Sequence, residues 1–231
     1  MSGQLDSYFF PSVEKASPEG LLAVGGDLDR ERLLLAYRNG IFPWYSYGQP
    51  ILWWSPDPRM VFYIGKLKMS RSLRKTLRNS GMRVTMDTAF EDVMRHCAAP
   101  RDTNHETWIT PDMHTAYCDL YLEGQAHSVE VWHEQKLIGG LYGVALGTTF
   151  FGESMFTRER DASKVALMAL DQQLQKLHFR LIDCQLPSPH LYSLGAQNIE
   201  RKRFIAELKD GLQESYQPGH WQFELDATLL I

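Results

Sequence analysis

Two strands joined through a helix constrain this chain more than any other feature. Residues 137–185 run through IGGLYGVALGTTFFGESMF, a helical pattern and RLIDCQ. One strand ends near Glu153, and the other carries Asp183 and Gln185, so these three polar groups are expected to meet in a cleft between the strands. Period two sets Asp183 and Gln185 on one face of RLIDCQL and Ile182, Cys184 and Leu186 on the other. With Asp183 facing the cleft, Cys184 faces the core, which disfavours a Cys–His nucleophile. A carboxylate and an amide in so apolar a strand need partners, or each costs roughly 2 kcal/mol or more when buried. An Asp bonding nearby backbone amides accounts for Asp183 as well as a reactive carboxylate does. Gln185 beside it and Glu153 on the neighbouring strand favour a site.

The other segments read as support for that cleft. The 231 residues are 44% hydrophobic with net charge -4, the profile of a soluble globular chain. No run reaches the ~18 apolar residues of a membrane span, and MSGQLDSYFF lacks the basic and apolar parts of a signal peptide, so a cytoplasmic protein with no membrane association is expected. Cys97, Cys118 and Cys184 are too far apart for a CxxC site or an obvious disulfide framework. The eight histidines show no HExxH or HxH spacing, so neither a metal nor another cofactor is expected.

The stretch to about Arg59 is punctuated by SPEG, VGGD, FPW and WWSPDPR around one helix, with Asp29 as N-cap, Leu33, Leu34 and Tyr37 inward, and Gly40 at C′. Four prolines between Pro43 and Pro58 argue against regular structure there. Beyond it, KLKMSRSLRKTLRNSGMR holds seven of the chain's 24 Lys and Arg and none of its 28 Asp and Glu. Ser70 caps a short helix ended by Gly81, with Leu73 and Leu77 inward and Arg71, Lys75 and Arg78 outward. Such a stripe suits a polyanion, and it suits a solvated helix face equally well.

A strand over Arg83 to Met86, a helix capped by Asp87 and running to Ala98, and a helix capped by Thr110 with Pro111 at N1 and Gly124 beyond its end come next. HSVEVW, KLIGGLYGVAL and TTFFGESMF then read as an antiparallel meander, whose glycines suit bends or close approach. A helix from Asp161 to Leu177 follows, burying Ala166, Leu167, Leu170 and Leu174. Then come FRLIDCQL, a helix over Glu200 to Leu212 and a strand over Trp221 to Leu225. The fold class is therefore α+β: a small loop-rich domain (residues 1–60) and a GNAT-like acyltransferase domain (residues 61–231) whose mixed sheet is flanked by helices. Proteins of that fold cradle CoA pyrophosphate on glycines at the turn before the fourth-strand helix. Here the turn reads RERDAS, with Asp161 and no glycine. Acetyl-CoA is thereby disfavoured, and a different acyl donor, one joined to nucleic acid, is favoured.

GLLAVGGDL, AYRNGIFPW, PILWWSPDPR, SRS, TWIT, AHSVEVW, GGLYGVALG, FGESMF, ASKVAL, LIDCQ and SLGA occur in this order between about Phe10 and Phe204. In them the chain strongly resembles the leucyl/phenylalanyl-tRNA-protein transferase family. The resemblance implies transfer of Leu, Phe, or less readily Met from aminoacyl-tRNA to acceptor proteins beginning with Arg or Lys, the tagging step of the bacterial N-end rule. It implies catalysis by Asp183 and Gln185, contact of Trp44 and Trp108 with the terminal adenosine, and tRNA binding by Arg71, Arg74, Lys75 and Arg78. Glu153 takes the place of a conspicuous pocket acid. Leu141, Phe150, Gly152, Leu167 and Leu170 fall to the aminoacyl side chain, though a well-known member of that family carries a methionine and an aromatic in place of Leu141 and Leu170, which leaves the Leu-versus-Phe preference open. Asp183 would accept the amine's proton directly or through Gln185. A monomer is expected. The alternatives are an acetyl-CoA-dependent N-acetyltransferase and a non-catalytic RNA-binding module.

Overall fold

The structure, a computed structural model, describes residues 9–99, 109–214 and 216–231. Near the N-terminus, β1 (Leu21–Val24), β2 (Phe42–Pro43) and β3 (Leu52–Trp54) form a three-stranded antiparallel sheet in the order β1-β3-β2. Regular structure thus does form among the prolines: Pro43 sits in edge strand β2, where its missing N–H costs no ladder bond. Between β1 and β2 lies α1 (Arg30–Arg38), capped by the Asp29 carboxylate on Glu31 N at 3.0 Å and followed by Gly40 at φ 70°.

Eight strands make the main sheet. They are β4 (Arg59–Tyr63), β5 (Met82–Met86), β6 (Ala126–His133), β7 (Lys136–Leu146), β8 (Thr149–Thr157), β9 (Leu181–Gln185), β10 (Gln197–Ile199) and β11 (Phe223–Asp226). Their order is β10-β4-β9-β8-β7-β6-β5-β11, with β8 and β9 parallel and every other neighbour antiparallel, so the sheet is mixed. The expected meander is β6-β7-β8. β4 and β10 extend the sheet beyond β9 and were not expected from the sequence, because their partners are remote.

Helices cover both faces: α2 (Arg71–Asn79), α3 (Phe90–Ala98), α4 (Pro111–Leu122), α5 (Ala162–Lys176), α6 (Pro189–Ser193) and α7 (Arg201–Gly211). Strand alternation separates two cores. Val61, Tyr142, Phe151 and Leu181 join Tyr37, Trp53, Tyr117 and Phe204, so the N-terminal segment shares its core with the main sheet. Phe62, Leu141, Phe150 and Ile182 instead join Leu73, Leu77, Leu167 and Leu170 beneath α2 and α5.

Ser70 and Thr110 cap α2 and α4 through Leu73 N and Met113 N, as their sequences predict. Asp87 does not cap α3, which starts at Phe90 after an uncapped Ala89. Its backbone lies in the left-handed region (φ 53°), and its carboxylate bonds His127 Nδ1 at 2.8 Å, Ser128 N at 2.9 Å and Trp221 N at 2.6 Å. Tying β6 to the C-terminal segment outweighs the local cap. Gly143 sits at a register shift between β7 and β8, where a Cβ would lie 2.1 Å from the Phe151 carbonyl oxygen and 2.6 Å from the Phe150 ring. Only glycine allows that approach.

Candidate active site

The parallel pairing of β8 with β9 lasts three residue pairs, from Thr149 opposite Leu181 to Phe151 opposite Asp183. Beyond it β8 continues through Gly152 and Glu153, while β9 ends at Gln185, whose φ of 63° turns the chain away. The gap opens into a cavity of about 260 Å³. Leu141, Phe150, Gly152, Glu153, Leu167 and Leu170, all expected in a pocket, line it together. Phe62, Tyr142, Ser154, Met155, Ile182, Cys184 and Leu191 complete the lining, so the chamber is largely apolar with a single carboxylate among the described residues.

Asp183 is not in that lining. Period two does divide β9 as expected, but the cavity lies on the side of Ile182 and Cys184, which corrects the expectation that Asp183 faces the cleft and Cys184 the core. Asp183 is fully buried and receives Arg59 Nε on Oδ1 at 2.8 Å and Nη2 on Oδ2 at 2.6 Å. Arg59 also donates Nη1 to the Gly40 carbonyl at 3.1 Å, and its guanidinium carbon lies 4.9 Å and 4.6 Å from the Phe42 and Phe204 ring centroids. Asp183 Oδ1 further accepts the Gln185 N–H at 2.9 Å. This bond steadies Gln185 in a left-handed conformation that a non-glycine residue rarely adopts. Cys184 does reach the cavity, but burial pushes its thiol well above the usual range and leaves it a poor nucleophile.

Glu153 receives Tyr37 Oη on Oε1 at 2.8 Å, Tyr117 Oη on Oε2 at 2.9 Å and Gln185 Nε2 on Oε1 at 2.9 Å. The two tyrosine hydroxyls also lie within hydrogen-bond reach of each other, a bond that forms together with both contacts to Glu153 when the carboxyl carries its own proton. Burial pushes the Glu153 carboxyl up to about 7, against the lowering effect of these donors. The same burial, with the nearby carboxylate, holds both tyrosines well above their ordinary values, so they remain donors. Arg59, Asp183, Gln185 and Glu153 thus form one continuous chain of hydrogen bonds ending at the cavity. A carboxyl that exchanges its proton near neutrality, beside an apolar chamber, is suited to handling an amine's proton.

The family model of leucyl/phenylalanyl-tRNA protein transferase matches residues 61–209, and the model of that enzyme's N-terminal domain matches residues 26–57. The chain belongs to this family. A leucyl/phenylalanyl-tRNA–protein transferase of Thiobacillus denitrificans is 53% identical over 218 residues, which cover 94% of this chain and 96% of that one. One of Aromatoleum aromaticum is 54% identical over 222 residues, 95% of this chain and 94% of that one. Among solved structures, a GCN5-related N-acetyltransferase from Kribbella flavida aligns at 10% identity and TM-score 0.42, covering 71% of this chain and 59% of that one.

Other residues that the family resemblance nominates lie outside the cavity. Trp44 is 42% exposed, stacks at a tilt on Trp54 (centroids 5.9 Å apart) and accepts Trp54 Nε1–H on its carbonyl at 2.7 Å. Trp108 lies outside the described residues. Arg71, Arg74, Lys75 and Arg78 are all exposed on α2, which buries only Leu73 and Leu77. At the turn into α5, Asp161 takes φ 67°, and its carboxylate receives Thr76 Oγ1 at 3.0 Å and Lys164 Nζ at 2.7 Å. The Asp161 carboxylate thus ties the start of α5 to α2 through Thr76.

Sequence reading passed over Arg59, Tyr37 and Tyr117 as functional residues. The available signal was Arg59 itself, a charge heading the apolar run MVFY in WWSPDPRMVFY. No helix among the described residues is long and apolar enough to cross a membrane.

Proposed function

We propose that this chain transfers leucine, phenylalanine and, less readily, methionine from aminoacyl-tRNA to the α-amino group of proteins that begin with Arg or Lys, in the cytoplasm and as a monomer. Family membership supports this reading, and the observation that carries it is Glu153 bonded to Gln185 beside an apolar chamber of side-chain size. The donor ester is already activated. The acceptor amine attacks the ester carbonyl carbon, a C–N bond forms, and the bond to the ribose oxygen breaks. The proton lost by nitrogen ends on that oxygen, so the balance closes without another reactant.

A protein α-amino group titrates at ~7.7 to 8.0, so a useful fraction is neutral and nucleophilic at neutral pH. Glu153, at about 7, matches it closely enough to take the proton and return it to the leaving oxygen. Asp183 works through Gln185: it is locked in a buried ion pair with Arg59 and does not line the chamber, and its contribution is to fix the residue whose amide holds Glu153. Positioning of ester and amine is the larger effect, drawing on the ~7 to 11 kcal/mol available to well-oriented reactants.

Leu141, Phe150, Gly152, Leu167 and Leu170 take the aminoacyl side chain. An apolar wall separates chains that differ by a methylene by only ~1 to 3 kcal/mol, which suits several hydrophobic donors. Stacking of the terminal adenosine on Trp44 and Trp108 adds ~1 to 3 kcal/mol per base. Arg71, Arg74, Lys75 and Arg78 take phosphates of the acceptor stem. A division into residues 1–60 and 61–231 is supported by the two family models, which end and begin at residues 57 and 61. Mixing the protein with labelled Phe-tRNA and an Arg-starting peptide tests the whole reading: labelled peptide is expected, and its absence at any enzyme concentration overturns it.

A further inference from the structure

A second concavity, a groove of about 820 Å³, shares Met155 with the aminoacyl chamber and runs from there along the end of β8 to the start of α2. Arg158, Arg160 and Lys164 line it against one carboxylate, Asp161, which pairs with Lys164 Nζ at 2.7 Å and more loosely with Arg160 Nε at 3.6 Å and accepts Thr76 Oγ1 at 3.0 Å, so the groove keeps a net positive charge. Arg158 is held by a neutral partner. Its guanidinium donates to His96 Nδ1 at 3.0 Å, and no carboxylate among the described residues pairs with it. Burial and the adjacent Arg158 push the His96 imidazole below its usual range, which leaves Nδ1 free to accept. A cation held in place by a neutral acceptor keeps its full charge for an anion.

Direction matters as much as charge. Arg158 is the residue that follows β8, five positions after Glu153, about 16 Å at ~3.3 Å per residue of extended chain, so it stands a few nucleotides back from an ester held at Glu153. Ser72, which also lines the groove, belongs to the first turn of α2, where the exposed cations Arg71, Arg74 and Lys75 begin. The groove therefore leads from the chamber toward the helical stripe with a net positive lining. The Asp161 carboxylate does not block an open track, because diesters along a single strand are met by side-chain cations.

We propose that this groove binds the sugar–phosphate strand of the donor RNA's unpaired 3′ end, with Arg158, Arg160 and Lys164 on its phosphodiesters. The inference rests on the aminoacyl-tRNA reading and extends it to a site between the chamber and α2.

The test uses the full chain and a fluorescein-labelled acceptor-stem hairpin, with or without its unpaired CCA end. Arg158→Gln combined with Arg160→Gln is expected to weaken binding of the complete hairpin by at least about tenfold, the loss of one charged hydrogen bond at the lower end of its range. It is also expected to lower the salt slope by about 1 to 2, at ~0.7 per neutralised single-strand phosphate. The trimmed hairpin should bind both proteins alike. Arg158→Lys with Arg160→Lys, which keeps the charges, should restore most of the loss, and transfer from 3′-O-phenylalanyl-adenosine, which has no phosphate, should not change. An equal loss with both hairpins would place these cations on the stem, and no loss would place the strand elsewhere. Either result overturns the inference. If the wild type binds the complete hairpin better than the trimmed one but never transfers phenylalanine, the aminoacyl-transfer reading fails while the groove stands.

Discussion

Arg59 and Asp183, 124 positions apart in the chain, meet with both side chains wholly buried, and the guanidinium engages both carboxylate oxygens at 2.8 Å and 2.6 Å. Neither partner is replaceable alone. Arg59→Met strands a buried carboxylate, and Asp183→Ala strands a buried guanidinium; each is expected to cost about 3 to 5 kcal/mol of stability. Urea unfolding checks this figure. Single-turnover transfer to an Arg-starting peptide should fall sharply in Asp183→Ala even at temperatures where the variant stays folded, because Gln185 N loses its acceptor. Unchanged turnover would remove Asp183 from the mechanism.

Glu153 sets the pH response. The carboxylate form is the one that takes a proton, so transfer by the wild type should fall as pH drops through about 7. The Tyr117 hydroxyl stabilises that form by donating to Oε2, so Tyr117→Phe should move the acid limb to higher pH. A limb that stayed in place, or moved down, would detach it from Glu153. Stability follows the opposite sign. A carboxyl raised from 4.5 to about 7 on folding holds its proton more tightly when folded, so its contribution is full below 4.5 and is lost as pH rises through 7. Glu153→Gln should therefore gain on the wild type between these pH values, by up to about 3 kcal/mol, as read from denaturant midpoints across that range.

The parts of this architecture legible in the sequence are those written locally. Asp29, Ser70 and Thr110 cap their helices through amides two or three residues away, and Gly40, Gly81 and Gly124 follow helix ends at positive φ. The β6-β7-β8 ribbon follows from period two and short turns. Long-range choices were not legible. Asp87 has the look of an N-cap but turns to His127 and Trp221, and β4 pairs with β9 and β10 across more than a hundred residues. Period two assigned the faces of β9 correctly, yet the cavity opens through a gap between strands, so knowing the face did not say which residues line it. Pairings such as Tyr37 and Tyr117 on Glu153 join three separate segments, and no spacing in the sequence encodes them.

On the proposed reading, the chamber sets donor choice. Leu141 and Leu170 face a cavity of about 260 Å³, and enlarging one of them consumes that space. Leu170→Phe should shift selectivity from phenylalanine toward leucine by about 10- to 200-fold, the range available to an apolar pocket. Overpacking should cost about 1 to 3 kcal/mol of stability. The ratio of kcat/KM for Phe-tRNA and Leu-tRNA is the measurement, and an unchanged ratio would place the side chain outside this chamber.

The cationic face of α2 is separable from the chamber because none of its exposed side chains reaches it. Arg74, Lys75 and Arg78 have no carboxylate within ion-pairing distance among the described residues, so replacing all three by glutamine removes positive charge without stranding an acid. The helix should persist, since Leu73 and Leu77 still anchor it and Ser70 still caps it. Each phosphate left without its cation should flatten the dependence of log affinity on log salt by about 0.9 for a duplex stem, so the triple variant should drop the slope by about 2 to 3. Affinity should fall alike for tRNAs of different sequence, because cations on phosphates position a ligand without reading its bases. Filter binding from low to moderate salt measures both, and an unaltered slope would move the acceptor stem off α2.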